Sequence, residues 1–252
     1  IDIEVDFGQG LPHMAIVGLP DEAVKESRER VYSAIKNANL AYPRKPITVN
    51  LAPASVRKEG PSFDLPIAVG VLIAGEQINQ EEIEGALVVG ELSLDGSVRH
   101  VRGVLAIAAT ARQEGFKRLY VPATDAAEAA LIPDLEVIPI GSLAELYAHL
   151  TGEQPIPPAQ TEPVALSDPP SAQTDFSEIK GQEHVKRALE VAAAGGHNVL
   201  MSGPPGAGKT LLARAITSIL PPLSLEEALE VTKIYSISDM LPSDTPLMRE
   251  RP

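Results

Sequence analysis

The stretch NVLMSGPPGAGKTLLA, at residues 198–213, decides the fold assignment. It contains Gly203-Pro204-Pro205-Gly206-Ala207-Gly208-Lys209-Thr210, which fits the pattern G-x-x-x-x-G-K-[ST] of a phosphate-binding loop. Such a loop follows a β-strand and opens an α-helix. The sequence therefore predicts a strand over 197–201, a glycine-rich turn, and a helix from about Lys209 to Leu220 that ends at Pro221-Pro222.

Each residue type in this loop has a physical role in nucleotide binding. Gly203, Gly206 and Gly208 permit backbone conformations that turn amide N–H groups toward phosphate. Lys209 would neutralise the β- and γ-phosphates, and Thr210 would supply a hydroxyl to Mg²⁺. The alternative is a plain glycine turn with an exposed lysine. We predict ATP and Mg²⁺ as the ligands.

Hydrolysis needs a further group, an acid at the end of a downstream strand. After Lys209 there is no four-residue apolar run that ends in Asp-Glu, and the similar stretch LVVGE (87–91) lies upstream. The first residue is Ile1 and the chain ends at Pro252, 42 residues after Thr210. The sequence thus predicts a fragment truncated at both ends, with nucleotide-binding residues but no catalytic residue.

The composition excludes several classes of protein. The 252 residues carry a net charge of −13, and both halves are acidic, unlike a free-standing DNA-binding module. The absence of Cys excludes a disulfide scaffold, a Cys-ligated zinc site and a thiol nucleophile. Aromatic residues make up 4%, with no Trp, which argues against an extended base-stacking surface. With no apolar run of membrane-spanning length and no leader peptide, we expect a soluble, cytoplasmic protein.

A proline-rich segment divides the chain. Residues 153–174, EQPIPPAQTEPVALSDPPSAQT, contain six prolines and few large apolar residues. Proline fixes φ and removes a backbone donor, so the segment is predicted to be an extended spacer. It would separate a domain at 1–152 from a second one at 175–252. The alternative is a long surface loop within one domain.

Residues 1–152 alternate between strand-like and helix-like patterns, which predicts an α/β domain with a mixed sheet. IDIEVDF and HMAIVG are predicted to form a hairpin, and Asp21 to cap the following helix. The remaining predictions are strands at ITVNLA and RLYVPA, a hairpin around Leu94-Asp95-Gly96, and helices at 65–74, 104–112 and 143–150. Helices at 185–194 and 225–232 are predicted for the second half.

The whole chain resembles the magnesium-chelatase-like AAA+ ATPases of bacteria known as the YifB/ComM family. The stretches that carry this resemblance are IVGLP (16–20), VKESRERV (24–31), NLAPA (50–54), KEGPSFDLP (58–66), FSEIKGQE (176–183) and HNVLM (197–201). It implies a Lon-protease-like α/β domain at 1–152, followed by the beginning of a P-loop AAA+ α/β module that assembles as a homo-hexamer.

The resemblance also implies a function. The family's best-understood role is a DNA motor that drives branch migration during natural transformation. The alternative is a chelatase-type or chaperone-type machine that uses ATP to remodel a protein complex without DNA. By the same resemblance, Ile179 and Gly181 would lie near the adenine base. Leu211, directly after the loop, is also predicted to contribute to the nucleotide site. The alternative for Ile179 and Gly181 is an ordinary helix entrance.

A proteolytic activity is not expected. Gly60-Pro61-Ser62 resembles the loop that bears the nucleophilic serine of Lon proteases, but the resemblance puts Leu105 where those enzymes have the basic lysine. The alternative role for Ser62 is to cap the 65–74 helix. Lys58 is predicted to lie in a loop that gives its amine no reason to be desolvated. A basic group at Arg99, Arg102, Arg112, Lys117 and Arg118 is predicted to be solvated surface or a contact for DNA or a ring neighbour.

Overall fold

The chain divides into two compact units. A computed structural model describes residues 1–160, 174–242, 245–249 and 251. One unit comprises Ile1–Glu162 with Lys233–Met240, and the other Pro163–Thr232 with Leu241–Pro252. The beginning of the proline-rich segment packs in the first unit, where the Ala159 N–H donates to the Val137 carbonyl oxygen at 2.8 Å. Residues 161–173 lie outside the described residues, so the spacer and the domain limits remain predictions.

The first unit has the predicted α/β class. Its strands are β1 (Asp2–Phe7), β2 (Met14–Val17), β3 (Ile47–Ala52), β4 (Ala86–Val88), β5 (Glu91–Leu92), β6 (Val98–Arg99), β7 (Arg118–Pro122) and β8 (Glu136–Ile140). Its helices are α1 (Glu22–Asn37), α2 (Asp64–Ala74), α3 (Val104–Gln113), α4 (Ala126–Ala129) and α5 (Leu143–Leu150). Neither β8 nor α4 was predicted from the sequence.

The predicted hairpin between the first two strands is wrong. The sheet order is β1-β3-β2, so β3 lies between them. It pairs antiparallel with β1 and parallel with β2. The physical reason is that α1 forms the crossover of a βαβ unit, which brings β3 beside β2 in parallel. Ile47, Val49 and Leu51 are fully buried, as befits a central strand.

The other sheets follow the predicted strands more closely. β4, β7 and β8 form a parallel sheet in the order β4-β7-β8. β5 and β6 form the predicted hairpin, with Leu92 opposite Val98. Asp95 fixes its turn, because its Oδ1 accepts hydrogen bonds from both the backbone N–H and the hydroxyl of Ser97.

Asp21 begins α1 as predicted. Its Oδ1 accepts the Val24 N–H at 2.8 Å, which satisfies one of the free donors at the helix start. Its Oδ2 accepts the Gly60 N–H at 3.1 Å. One carboxylate therefore anchors both α1 and the loop that leads to α2.

A buried ion pair connects α1 with α2. Asp64 is completely buried at the first position of α2. Arg30 on α1 donates from Nε to Asp64 Oδ2 at 2.6 Å and from Nη2 to Oδ1 at 3.0 Å. The Leu92 N–H donates to Asp64 Oδ2 at 3.2 Å. This carboxylate therefore also positions β5.

The second unit contains α6 (Glu183–Gly195), α7 (Lys209–Ala215) and most of α8 (Leu225–Ile237), whose last five residues group with the first unit. All three helices were predicted, although α7 ends at Ala215 and continues as a 3₁₀ turn to Ile219. Among the described residues, no helix is both long and apolar enough to cross a bilayer.

The predicted strand over 197–201 is wrong for the chain as described. Residues 197–201 have no regular structure, and the described part of the second unit contains no strand that would pair with them. Leu200 is 95% exposed and Val199 44% exposed, so neither side chain is packed against a sheet neighbour. A β-strand needs a hydrogen-bonded partner, which local sequence does not supply.

Candidate functional site

The glycine-rich loop at 203–208 leads directly into α7. Gly206 has φ 81° and Gly208 φ 77°, both in the left-handed region that favours glycine. Gly208 is also the N-cap residue, directly before the first residue of α7. These two glycines adopt the kind of backbone that a phosphate-binding loop requires, whereas Gly203 has no such φ.

Lys209 folds back over this loop. Its Nζ donates to the Gly203 carbonyl oxygen at 2.7 Å and to the Pro204 carbonyl oxygen at 2.8 Å. The ammonium group is therefore held beside the loop rather than extended into solvent. Thr210 is exposed at the next position, and its hydroxyl has no hydrogen bond to any residue that the structure describes. A cation and a free hydroxyl thus accompany the left-handed glycines.

Gln182 is a residue of this site that was not predicted from the sequence. Its Nε2 donates to the Ala207 carbonyl oxygen at 3.0 Å, which ties the entrance of α6 to the loop. Gly181 and Gln182 both have positive φ, 74° and 53°. The only signal in the sequence was the position of Gln182 in FSEIKGQE, because the contact joins segments 25 residues apart.

Ile179 and Gly181 have structural roles in the second unit. Ile179 is 6% exposed and packs in an apolar cluster with Phe176, Leu189, Leu212 and Ala215. Gly181 supplies a left-handed conformation just before α6, which agrees with the helix-entrance alternative. Leu211 is 48% exposed on α7, beside the loop. Contact of these three residues with a nucleotide remains a prediction.

The protease-like residues do not form a catalytic pair. Ser62 lies in a 3₁₀ turn, Pro61–Phe63, and its hydroxyl has no hydrogen bond to any described residue. The predicted capping role of Ser62 is wrong, because α2 begins at Asp64 without a side-chain cap. Leu105 is fully buried on α3 and has no titratable group.

Lys58 differs from its predicted loop environment. It is 1% exposed, and its Nζ donates to the carbonyl oxygen of Pro53. Its own backbone bonds with Leu19 and Asp21 hold it in place. The buried amine is therefore accounted for by backbone contacts rather than by a serine.

Much of the basic group around α3 is neutralised. Arg112 Nη2 lies 2.9 Å from Asp134 Oδ2, and Arg102 Nε lies 3.1 Å from Asp239 Oδ2. Arg99 lies 4.0 Å from Glu91. These ion pairs favour the solvated-surface alternative over a phosphate contact.

His100 bridges two carboxylates in the first unit. Its Nδ1 lies 2.6 Å from Asp125 Oδ1 and its Nε2 3.3 Å from Asp239 Oδ1. Burial acts to lower the pKa of His100, but the hydrogen bonds and charges of Asp125 and Asp239 outweigh burial and raise it. Among the described residues, no group of three or more His, Asp or Glu side chains has an arrangement that would hold a metal ion.

Two family profiles match separate parts of the chain. The family profile described as "Subunit ChlI of Mg-chelatase" matches residues 3–125, and the profile described as "Magnesium chelatase, subunit ChlI" matches residues 175–252. Between them, these profiles match most of the chain.

Individual relatives agree. The chain is 45% identical over 237 residues to the uncharacterized protein YifB of Salmonella typhimurium, which is 94% of the chain and 46% of the relative. It is 42% identical over 240 residues to the competence protein ComM of Haemophilus influenzae, covering 94% and 47%. A weaker match, 25% over 176 residues, covers 64% of the chain and 20% of a Lon protease of Azorhizobium caulinodans. The chain spans about half the length of the YifB and ComM relatives.

Proposed function

Because the chain belongs to the magnesium-chelatase ChlI-like family, with YifB and ComM among its relatives, we propose that residues 203–210 bind Mg²⁺-ATP. The observation that carries this proposal is Lys209, whose ammonium group lies over a loop with two left-handed glycines. In this proposal, residues 1–152 form a Lon-protease-like domain without proteolytic activity, and residues from about 175 begin an AAA+ module.

The residues of the loop fit a nucleoside triphosphate. The Lys209 ammonium would exchange its two carbonyl acceptors for the β- and γ-phosphate oxygens, a stronger charge-assisted interaction. The Thr210 hydroxyl would ligate Mg²⁺, and the backbone N–H groups near Gly206 and Gly208 would donate to phosphate oxygens. Bound Mg²⁺-ATP would supply the cleavable β–γ phosphate bond.

For the whole protein we propose a hexameric, ATP-driven motor that acts on DNA in the cytoplasm. The name of the Haemophilus relative, competence protein, supports a competence-related role. The second candidate is a remodeller of a protein complex, which the magnesium-chelatase descriptions of both matching profiles favour.

The two candidates differ in their response to DNA. We expect the ATPase activity of the full-length protein to rise severalfold with single-stranded, duplex or forked DNA, because a motor couples hydrolysis to its track. Steady-state phosphate release measures this, with the Lys209→Ala variant as the background control. An ATPase rate that no DNA changes would overturn the motor and favour the remodeller.

Gln182 provides a second test of the loop. We expect Gln182→Ala to weaken Mg²⁺-ATP binding by about 3–10-fold, because it removes one hydrogen bond that fixes the loop, worth about 0.5–1.5 kcal/mol. Titration calorimetry would measure the affinity, and Gln113→Ala, at an exposed residue of the first unit, is the matched control. If both variants bind ATP with the affinity of the parent, Gln182 does not position the loop.

A further inference from the structure

A groove in the first unit combines cations with two tyrosines that no site above uses. Its volume is about 640 Å³. Arg28, Tyr32 and Lys36 line one side, and Tyr42 and Arg44 line the other. We call these five residues the basic tyrosine groove.

Helix geometry aligns the first side of the groove. Arg28, Tyr32 and Lys36 lie four residues apart on α1, so they share one face of the helix. The charged and aromatic side chains alternate on this face, so they provide a site for a phosphate at Arg28, for a planar ring of a ligand at Tyr32 and for a second phosphate at Lys36. Tyr42 and Arg44 come from the loop between α1 and β3, which closes the other side.

The two tyrosines hold each other in place. The Tyr32 and Tyr42 ring centroids are 4.8 Å apart with an interplanar angle of 81°, an edge-to-face pair. Lys36 Nζ lies 5.6 Å from the Tyr32 centroid. Burial, with the neighbouring Tyr32 and Glu29, raises the pKa of Tyr42 to about 12, so its hydroxyl stays neutral. Tyr32 is 41% exposed, which leaves ring surface free for a ligand.

The charge of the groove is opposite to that of the chain. Its lining has three permanent cations and one carboxylate, Glu29, in a chain with a net charge of −13. Glu29 Oε1 lies 3.3 Å from Arg28 Nε, but Lys36 and Arg44 have no carboxylate within 4.0 Å among the residues that the structure describes. The ion-paired basic group around α3 differs in this respect.

We propose that the basic tyrosine groove binds single-stranded nucleic acid, with phosphates at Arg28, Lys36 and Arg44 and a base stacked on Tyr32. Cations that follow the backbone and aromatic rings that take bases are the two components of such sites. The low aromatic content argued against an extended stacking surface, but the fold gathers two of the five tyrosines in one groove. The proposal goes beyond the motor function, because it assigns binding of single-stranded nucleic acid to the first unit. This binding does not require ATP.

The test measures binding of a fluorescent oligo-dT by the full-length protein without nucleotide, by anisotropy over a range of salt concentrations. The groove variant combines Arg28→Gln, Lys36→Gln and Arg44→Gln. The control variant makes the same charge change at Lys25, Arg57 and Arg112, which are exposed and paired with Glu22, Glu59 and Asp134. Circular dichroism and thermal melts verify that both variants fold.

We expect the groove variant to bind at least about tenfold more weakly and its log–log salt slope to fall by about 2, since each lost phosphate contact removes about 0.7. The control variant should change affinity less than about twofold. Tyr32→Leu should weaken binding by about fivefold or more without changing the slope, because stacking releases no counterions. Glu29→Gln should tighten binding about twofold, since it removes the one carboxylate of the lining.

Equal losses in the groove and control variants would overturn the proposal, since they would show general charge attraction only. A groove variant that loses binding while Tyr32→Leu binds as the parent does would also overturn it, since the cations would then attract a polyanion without any base stacked on Tyr32. These results are independent of the motor function. If the groove variant keeps both its oligo-dT binding and its DNA-stimulated ATPase activity, the groove proposal alone is refuted. If the groove variant loses oligo-dT binding but DNA does not stimulate the ATPase activity of the parent, the motor proposal alone is refuted.

Discussion

Replacing Asp64 with alanine is expected to lower the free energy of unfolding of the first unit by about 3–5 kcal/mol, because it removes the buried carboxylate from a largely buried guanidinium and leaves Arg30 only an exposed carboxylate neighbour, Glu26. Asp64 is fully buried, and the side chain of Arg30 is only 19% exposed. The hydrogen bond that Arg30 donates to Asp64 stabilises the charged guanidinium and raises the pKa of Arg30. Because the arginine side chain stays protonated in proteins, Arg30 keeps its charge when Asp64 is removed. The Leu92 N–H would lose its acceptor as well.

Urea denaturation followed by circular dichroism measures this effect. The matched control is Glu26→Ala, which removes a carboxylate 3.6 Å from the same guanidinium but 72% exposed. An exposed pair of this kind contributes at most about 0.5 kcal/mol. Changing both buried partners to apolar residues, Arg30→Met with Asp64→Leu, should recover part of the loss. A loss below about 1 kcal/mol for Asp64→Ala would contradict the assignment of the pair as a buried structural contact.

The second large effect concerns Lys209. We expect Lys209→Ala to weaken Mg²⁺-ATP binding by about 100-fold, because charge-assisted hydrogen bonds to phosphate contribute about 1.5–3 kcal/mol and the variant has no other cation at this position. The fold should not change, since the ammonium bonds only to the carbonyl oxygens of Gly203 and Pro204. Titration calorimetry with Mg²⁺-ATP measures the affinity.

The control for Lys209 is a cation elsewhere in the second unit. Arg187 on α6 has a side chain that is 75% exposed and pairs with Glu190, so Arg187→Ala removes one positive charge without altering the loop. Its ATP affinity should match that of the parent. Equal affinities of the Lys209→Ala variant and the parent would refute the assignment of residues 203–210 as the nucleotide site.

Local signals in the sequence predicted most of the elements. The N-cap at Asp21, the Asp95-Gly96 turn and the bounds of α5 each depend on residues within one turn or helix, and the structure confirms them. The order β1-β3-β2 depends on pairing across some 45 residues, which no periodicity encodes. The wrong strand prediction at 197–201 has the same cause. Its apolar pattern is a local signal, but a strand forms only with a pairing partner, which a local pattern does not reveal.

In the candidate site, too, local features were predicted from the sequence and contacts between distant residues were not. The pattern of residues 203–210 predicted special backbone conformations at Gly203, Gly206 and Gly208, and a left-handed φ is found at Gly206 and Gly208 but not at Gly203. The contact of Gln182 with Ala207 joins two segments that lie 25 residues apart, so the position of Gln182 in FSEIKGQE did not identify it as a residue of the loop. Arg28 and Lys36 are separated from Arg44 by a helix end and a loop, and only the folded chain brings them to one groove.

The position of β1 at the margin of its sheet affects how copies of the chain meet. Asp2, Glu4 and Asp6 occupy alternate, exposed positions along it, whereas Ile3, Val5 and Phe7 pack inward. If two copies aligned these margins, rows of carboxylates would face one another, and like charges at such short range repel. The row of carboxylates therefore disfavours fibril-like association of copies through β1. This matters because β1 is synthesised about 40 residues before its partner β3 and is unpaired until then.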